Sequence, residues 1–384
     1  MFDPDEIPGL KEAIREATLR DRHLLDDLRN EVQVLKGEVK KIQVRHATSV
    51  SLVASDGGNN KLVFDPFHVQ LVRVVDSQGK RLCLDAVTPY TDSGQLSRRQ
   101  FDERGNPRTA LGKLMRDLNV EMLHHLSPMI PSPEKAKEAP ADISPSWVMV
   151  YRDLCEWAAL YELIVYKEYA NDTLIVRDGL LRSKIFAKDY FINMRKRMEE
   201  AIAKIRKKEK RRVYLVGLAK KSKVLERYRL ALALENVIPY GEARFVRVPR
   251  DLEAKAYVWA EYARGAEAEG GGGELPKFVA GDMYFVRFGG RSGDPLWCVD
   301  ILSSQVNEAQ EVFGTLLQDS IDGFPVPFYP RCLQRAHEHA EVVDFDLEIL
   351  QDEVMKAVRE LVGDQQHILE AMRLQGDLAA RRYE

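Results

Sequence analysis

The sequence predicts an α/β protein with a mixed β-sheet flanked by helices. Three observations predict it: strand-like apolar runs recur along the middle of the chain, helical segments separate the later runs, and heptad-spaced helices lie at both ends. The chain has 384 residues, of which 45% are hydrophobic and 30% charged, and its net charge is −3. This composition indicates a soluble globular protein and argues against an overall basic nucleic-acid binder.

Long helices are predicted at the two ends of the chain. Residues 9–45 are expected to form one helix with a heptad seam, and residues 344–378 show a weaker version of the same pattern. The seam of the first segment consists of Leu25, Leu28, Val32, Leu35, Val39 and Ile42. Such helices either pair with each other or with a second copy, or pack on the protein's own core. The predicted divisions are a helical segment at 1–45, a central domain at 46–343 and a C-terminal helix at 344–384.

The central domain is expected to combine strands and helices. Apolar runs at 49–55 and 67–75, with glycine and asparagine between them, predict an antiparallel hairpin that turns at these residues. Further strands are predicted at 172–178, 211–218, 283–289 and 295–302, and helices near 147–169, 187–210 and 221–236. The proline-rich stretch 127–146 and the glycine-rich stretch 265–276 are expected to be mobile surface loops.

Several classes of protein are excluded by motifs that the sequence lacks. The four cysteines lie far apart and form no CxxC pair, which excludes a zinc ribbon and favours a reducing cytoplasm. The chain contains no GxxxxGK[ST] phosphate loop, so any ATP-driven motor must be another chain. No apolar run approaches the roughly 18 residues of a membrane helix, and the acidic N-terminus is not a signal peptide. We therefore expect a cytoplasmic protein without a membrane partner.

Carboxylates at strand ends indicate a metal site. Asp56 follows the first predicted strand, Asp178 closes a later apolar strand, and Glu156 and Glu162 lie on the helix between them. A strand holds the backbone rigid while the side chain at its end faces solvent, and hard divalent cations prefer carboxylate oxygens. Two manganese or magnesium ions at such a site can clamp a phosphodiester. However, Asp-Gly is also a common hairpin turn, and the two glutamates point in different directions on the helix.

Two further features have both a functional and a structural interpretation. His337 and His339 follow a proline-broken segment, and a histidine beside carboxylates can bind a metal or move a proton. Either histidine can equally be an exposed helix residue. Residues 195–212 carry ten Lys or Arg and three Glu, which suits a DNA backbone but also a solvated helix with internal ion pairs.

Taken in order, these motifs resemble the NurA nucleases, the partners of the HerA hexameric DNA translocase. The matching elements are the strand ending in Asp-Gly, the helix with Glu, DGLL (178–181), VGLAKKS (216–222) and AHEHA (336–340). The resemblance spans about residues 46–343. It implies a ribonuclease H-like fold, a manganese-dependent 5′→3′ DNA exonuclease with single-strand endonuclease activity, and a homodimer that docks on HerA. Its cellular role would be DNA end resection in repair, or antiphage defence.

The resemblance also implies a role for individual residues. The residues concerned are Asp56, Glu156 and Asp178 as metal ligands, His337 as a ligand or water-orienting group, and Lys220 as the cation facing the phosphate. Glu156 is preferred over Glu162 because YRDLCEW resembles the Arg-x-x-x-Glu run of the family helix. Leu180 departs from the family pattern, which usually has Ser after the second Asp-Gly.

Two other functions are compatible with the sequence. In the first, the protein is a non-catalytic dimeric adaptor whose heptad helices pair and whose carboxylates are ordinary surface groups. In the second, it is a ribonuclease H-like nuclease that acts on RNA or on hybrids. The carboxylates do not distinguish DNA from RNA, because they would contact metal and phosphate rather than sugar or base.

Overall fold

The computed structural model describes residues 6–45, 50–64, 67–138, 143–257, 277–341 and 344–363, and for 50–64, 67–68 and 344–348 it describes the backbone. The strands are β1 Lys40–Lys41, β2 Val50–Phe64, β3 Phe67–Asp76, β4 Arg81–Val87, β5 Asp172–Asp178, β6 Val213–Ala219, β7 Arg244–Arg247, β8 Gly281–Arg287 and β9 Leu296–Leu302. The helices are α1 Ile7–Arg20, α2 Arg22–Val32, α3 Ser93–Arg98, α4 Ala110–Asp117, α5 Leu123–Leu126, α6 Pro133–Glu138, α7 Trp147–Val165, α8 Tyr190–Glu209, α9 Lys223–Leu234, α10 Arg250–Ala256, α11 Ala309–Ser320, α12 Arg331–Ala340 and α13 Asp344–Val362. Short 3-10 helices cover Gln33–Glu38 and Ser303–Glu308.

The described strands form one mixed sheet in the order β1-β7-β8-β9-β6-β5-β2-β3-β4. Strands β2, β3 and β4 form an antiparallel meander, whereas β2, β5 and β6 run parallel to one another. Beyond β6 the sheet continues antiparallel through β9, β8, β7 and β1. The block β4-β3-β2-β5-β6 has the strand order and directions of a ribonuclease H-like sheet. The predicted fold class is therefore confirmed.

The sheet is buried on both faces along β5 and β6, two of its parallel strands. All seven residues of β6 are buried, as expected for the uninterrupted apolar run VYLVGLA in a parallel sheet. Successive side chains of a strand point to opposite faces. Ile175 and Leu215 accordingly pack in the cluster that includes α7 and α8, whereas Leu174 and Val176 pack in the cluster that includes α11 and α12.

The N-terminal segment is helical, but the prediction of one helix over 9–45 is wrong. Helix α1 ends before Asp21, α2 ends at Val32, and residues 40–41 form a strand at the edge of the sheet. The reason is tertiary: Ile42 donates a backbone hydrogen bond to the carbonyl of Ala243 (2.9 Å), so pairing with the sheet replaces the last helical turns. Val32 and Ile42 of the predicted seam are buried in the protein's own core.

The predicted antiparallel hairpin of β2 and β3 is present, but its turn lies elsewhere. Strand β2 continues through Gly57 to Phe64 and pairs with β3 from Ser55 to Phe64, whose partner is Phe67; residues 65–66 lie outside the described part of the chain. Ladder hydrogen bonds to β3 thus override the turn preference of the glycine and asparagine residues. The sequence did not predict β4 or β7.

The remaining predictions concern loops, ends and domain divisions. The stretch 127–146 contains helix α6, and 265–276 lies outside the described residues, as does the part of the C-terminal helix predicted for 364–378. The divisions at 1–45, 46–343 and 344–384 stay predictions. None of the described helices combines the length and the apolarity that crossing a membrane requires.

Candidate active site

The ends of the parallel strands β5 and β6 bring two predicted site residues into contact. Asp178 is the last residue of β5, and Lys220 directly follows β6. The Asp178 Oδ2 and Lys220 Nζ atoms are 2.9 Å apart. The Asp178 side chain is 16% exposed and that of Lys220 is 43% exposed, so a ligand can reach this ion pair from solvent.

Two glycines allow the chain to turn sharply after Asp178. Gly179 has a φ of +109°, in the left-handed region, and its amide donates to the carbonyl of Leu218 (2.7 Å). The chain then passes directly over Gly217, where a Cβ would lie 2.4 Å from the Gly179 carbonyl oxygen. A side chain at position 217 would push this turn away, so both glycines help to place the Asp178 carboxylate.

The sheet register places Asp56 beside Asp178. The parallel pairing of β2 with β5 ends at Ser55 and Arg177, and each aspartate is the next residue of its strand. The expectation that Asp56 ends its strand is wrong, because β2 goes on beside β3, where Asp56 pairs with Val75. What ends just before Asp56 is the parallel pairing of β2 with β5, whose last pair is Ser55 and Arg177. The side chain of Asp56 lies outside the described part of the structure.

The two candidate glutamates of α7 lie in different surroundings. Glu156 accepts from Arg177 Nη2 (3.2 Å) and forms an ion pair with Arg152 Nε (3.3 Å). Arg177 directly precedes Asp178, so the carboxylate of Glu156 lies close to the end of β5. Successive strand residues point to opposite faces, and Glu156 therefore lies on the face of the sheet opposite to the Asp178 side chain. Glu162 instead forms an ion pair with Lys113 of α4. The structure thus brings Glu156, rather than Glu162, to the strand that ends in Asp178.

Helix α12 carries the predicted histidine along the Asp178 side of the sheet. Its buried residues Leu333 and Ala336 pack in the same cluster as Leu174 and Val176 of β5. His337 follows Ala336 and is exposed. On this helix, His339 packs instead against the turn at Gly79, with its Nδ1 atom 3.3 Å from where a Cβ of residue 79 would lie. Among the side chains that the structure describes, no three His, Cys, Asp or Glu converge as a metal site.

The basic stretch 195–212 lies mainly on α8, and its C-terminal end points away from this site. That end leads directly into the start of β6, and the seven-residue strand separates it from the Lys220 end by roughly 20 Å. Four of its arginines form ion pairs: Arg195 with Glu199, Arg206 with Glu308, Arg211 with Glu209, and Arg212 with Asp172 and Glu311. Arg195–Glu199 is an i,i+4 pair of the kind that the alternative interpretation as a solvated helix expects, whereas the pairs of Arg206 and Arg212 join the stretch to other elements.

A buried ion network supports the turn after Asp178, and the sequence did not predict it. The Nε and Nη2 atoms of Arg182 each donate to one carboxylate oxygen of Asp300 (both 2.8 Å), and Nη1 donates to Glu253 (2.6 Å). Asp300 also accepts from the Leu181 amide (3.1 Å). An aspartate inside the apolar run LWCVDIL was the available signal, because an acidic residue in a buried strand needs a partner.

Burial and charge act in opposite directions in this network. Burial raises the pKa of the Glu253 carboxyl, and the nearby Arg182 and Arg250 offset this in part. Burial by itself would lower the pKa of the Arg182 guanidinium, but the charges of Asp300 and Glu253 outweigh it and hold that pKa above its usual value. Arg182 therefore stays charged and anchors the turn.

Tyr329 is a second neighbour of the site that the sequence did not single out. The Lys220 Nζ atom lies 5.2 Å from the centroid of its ring, a cation–π distance. The ring also packs against Trp297, with 5.2 Å between centroids. Because Ala219 pairs with Cys298, Trp297 stands beside Lys220 in the sheet register. The loop before α12 is thereby fastened to the end of β6.

The structure is similar to solved structures of NurA nucleases. The NurA nuclease from Sulfolobus solfataricus matches with 14% identity and a TM-score of 0.44, covering 94% of this chain and 99% of that one. A NurA bound to dAMP and manganese matches with 10% identity and a TM-score of 0.40, covering 86% and 94%. A NurA with manganese matches with 10% identity and a TM-score of 0.39, covering 91% and 98%.

The resemblance to NurA nucleases that the motifs indicate is thus also found between structures. No protein-family model matches the chain, and no curated protein matches it either. Identities of 10–14% and TM-scores below 0.5 do not transfer a function. The function therefore has to be argued from the residues of the chain itself.

Proposed function

We propose that the protein is a metal-dependent deoxyribonuclease, with 5′→3′ exonuclease and single-strand endonuclease activity. The observation that carries this proposal is the Asp178–Lys220 pair at the solvent-accessible ends of β5 and β6, with Asp56 on the neighbouring strand at the same level. Acidic groups suited to a cation and a lysine suited to a phosphate lie side by side. This arrangement matches the charges of a phosphodiester and of the metal that accompanies it.

The chemistry of the donors fits a hard divalent cation. Asp56 and Asp178 would hold manganese or magnesium through carboxylate oxygens. His337, on the Asp178 face of the sheet, would complete the set, whereas Glu156, on the opposite face, would join it only around the end of β5. In the structure, Asp178 pairs with Lys220, and Glu156 pairs with Arg152 and Arg177. Both carboxylates therefore lie where positive charge is already bound. When bound, the metal supplies Lewis acidity at the phosphoryl oxygen. The number of ions, two in the sequence prediction, stays a prediction.

Lys220 and His337 would act directly on the substrate and the water. The ammonium group of Lys220 would stabilise the charge that builds up on the phosphate in the transition state. Its contacts with Asp178 and Tyr329 hold it at the site while leaving it partly exposed. His337, on the helix that covers the same face, would orient the attacking water or bind the metal.

A cleavage assay tests the proposal. The purified protein is incubated with end-labelled single- and double-stranded DNA, and with RNA and hybrid of the same sequence, in manganese, magnesium or EDTA. We expect the DNA to be shortened with manganese and left intact in EDTA. The Asp178→Asn variant, purified in parallel, must be inactive, which excludes a contaminating nuclease. Preferred cleavage of RNA or hybrid would support the second alternative function, and no cleavage at all would support the adaptor.

We further propose that the protein works as a homodimer with a HerA-type hexameric ATPase, in DNA end processing or in antiphage defence. The sequence contains no GxxxxGK[ST] motif, so movement along DNA requires a second chain with ATPase activity. Light scattering of the purified protein tests the dimer. Co-purification with a HerA-type ring, and faster DNA degradation with ring and ATP together than with either alone, test the partnership.

A further inference from the structure

The loop between α11 and α12 presents apolar side chains to solvent. Phe324 is 81% exposed, the largest value among the large apolar side chains that the structure describes. Ile321 and Val326 on the same loop are also exposed, at 46% and 42%. Exposed apolar side chains that are grouped in this way mark an interaction site more often than single ones do.

This loop is held in one shape by close backbone contacts. Gly323 approaches Tyr329 so closely that a Cβ at position 323 would lie 2.6 Å from the Tyr329 carbonyl oxygen. Trp297 donates from Nε1 to the carbonyl of Phe328 (2.9 Å), and the Tyr329 amide donates to Val326 (3.3 Å). The exposed ring of Phe324 is therefore carried by a loop with fixed anchors, and its presentation costs little ordering entropy on binding.

The same contacts place the loop beside the candidate active site. The ring of Tyr329 lies 5.2 Å from Lys220 Nζ, which is paired with Asp178. Standard bond lengths and the contact at Gly323 put the Cα atom of Phe324 within about 8 Å of the Tyr329 carbonyl oxygen. Together these contacts put the Phe324 Cα within about 20 Å of Lys220 Nζ, so a strand whose phosphate lies at Lys220 can reach the Phe324 ring with a base a few nucleotides away.

We propose that Phe324 stacks on an unpaired base of the DNA strand bound at the Asp178–Lys220 site, and so favours single-stranded ends. This inference rests on the proposed nuclease function. An exposed aromatic ring can stack on any base, because every base has a π-face, and such stacking is independent of sequence. In a duplex the faces of the bases are covered by their neighbours. Phe324 therefore contributes to the binding of unpaired strands and not of duplex.

Four substitutions separate stacking from other roles of this ring. Phe324→Ala removes it, Phe324→Leu keeps an apolar side chain without a π-face, and Phe324→Trp keeps an aromatic ring. Tyr90→Ala is the matched control, because Tyr90 is a 72% exposed aromatic residue on the loop after β4. Both substituted positions, 324 and 90, are on the surface, so the melting temperatures should stay the same.

Binding is measured in EDTA with a short single-stranded oligonucleotide that carries 2-aminopurine, whose fluorescence falls when it stacks on an aromatic ring. We expect quenching by the wild type, by Phe324→Trp and by Tyr90→Ala. Phe324→Ala and Phe324→Leu should lose the quenching and bind the oligonucleotide about tenfold more weakly, while their binding of duplex is unchanged.

Two results would overturn the inference. Quenching and affinity of Phe324→Ala equal to those of the wild type would show that the ring does not touch a base. Wild-type behaviour of Phe324→Leu together with loss in Phe324→Ala would show an apolar contact with the DNA that needs no aromatic ring, and would exclude stacking. A failure of the nuclease proposal is seen separately, as absence of cleavage by the wild type with manganese, since the stacking signal is read without cleavage.

Discussion

Asp178 and Arg182 lie four residues apart and each forms ion pairs, but the surroundings of the two sets of pairs differ. Asp178 pairs with Lys220 at the surface, whereas Arg182 pairs with Asp300 and Glu253 in the interior, where none of the three side chains is more than 3% exposed. An exposed pair contributes about 0–1 kcal/mol to folding, so its partners are free to exchange for other ions. A buried pair is permanent, because separating it leaves an uncompensated charge.

The comparison indicates a division of labour along the segment 178–182. The buried network holds the Leu181 amide and thereby the turn that begins at Gly179. The buried network therefore fixes the backbone next to Asp178, while the Asp178–Lys220 ion pair itself stays accessible to other ions. We infer that the inner pair serves stability and the outer pair serves chemistry, and four substitutions test this distinction.

The largest expected effect is that of Asp178→Asn on hydrolysis. Loss of the carboxylate charge at the strand end removes a proposed metal ligand, and we expect DNA cleavage with manganese to fall by roughly 1000-fold or more. Stability should change by less than about 1 kcal/mol, because the pair with Lys220 is exposed. Cleavage rates and urea unfolding measure the two effects. An Asp178→Asn enzyme with normal activity would refute the assignment of the outer pair to chemistry.

The second effect concerns the inner pair and should be mainly one of stability. Arg182→Met leaves Asp300 and Glu253 buried without their cation, at a cost of about 3–5 kcal/mol in the free energy of unfolding. Arg20→Met is the matched control, because Arg20 pairs with Glu16 and both side chains are exposed, at 76% and 59%. We expect the control to lose less than about 1 kcal/mol. Equal losses in urea unfolding would contradict the contrast between buried and exposed pairs.

A third test compares two adjacent lysines. Lys220→Ala removes the ammonium group that contacts Asp178, and we expect kcat to fall roughly 100-fold while the free energy of unfolding hardly changes. Lys221→Ala removes an exposed charge of the same kind one residue later, and kcat should stay within about twofold. Similar losses from both variants would point to a general effect of positive charge instead of a specific contact.

The smallest effect on the cleavage rate is expected from substitution of the glutamates of α7. It tests which of the two, Glu156 or Glu162, belongs to the site. Glu156→Gln weakens the contact with Arg177, beside Asp178, and we expect a loss of roughly tenfold in cleavage rate. Glu162→Gln changes a residue of the same type that pairs with Lys113, and its rate should equal that of the wild type. The reverse result would assign the ligand to Glu162. Circular dichroism of both variants confirms that α7 is intact.

Sequence patterns predicted the central strands well because their signals are local. The runs that form β5, β6, β8 and β9 are continuous apolar stretches. The helices predicted near 147–169, 187–210 and 221–236 correspond to α7, α8 and α9. The segment around Gly57 was misjudged, because glycine and asparagine favour a turn when only neighbours in sequence are considered. Pairing with β3 decided otherwise, and a pairing partner is not visible in a local pattern.

The sequence by itself determined the fold class, the strands β5, β6, β8 and β9, and the candidates Asp56, Glu156, Asp178, Lys220 and His337. Only the tertiary structure decided which candidates meet: it joined Asp178 to Lys220, placed Glu156 rather than Glu162 at the end of β5, and moved the basic end of α8 to the opposite edge. It alone revealed Arg182, Asp300 and Phe324. The physical reason is that ion pairs and burial depend on distances between residues far apart in the chain, which a spacing along the sequence does not encode.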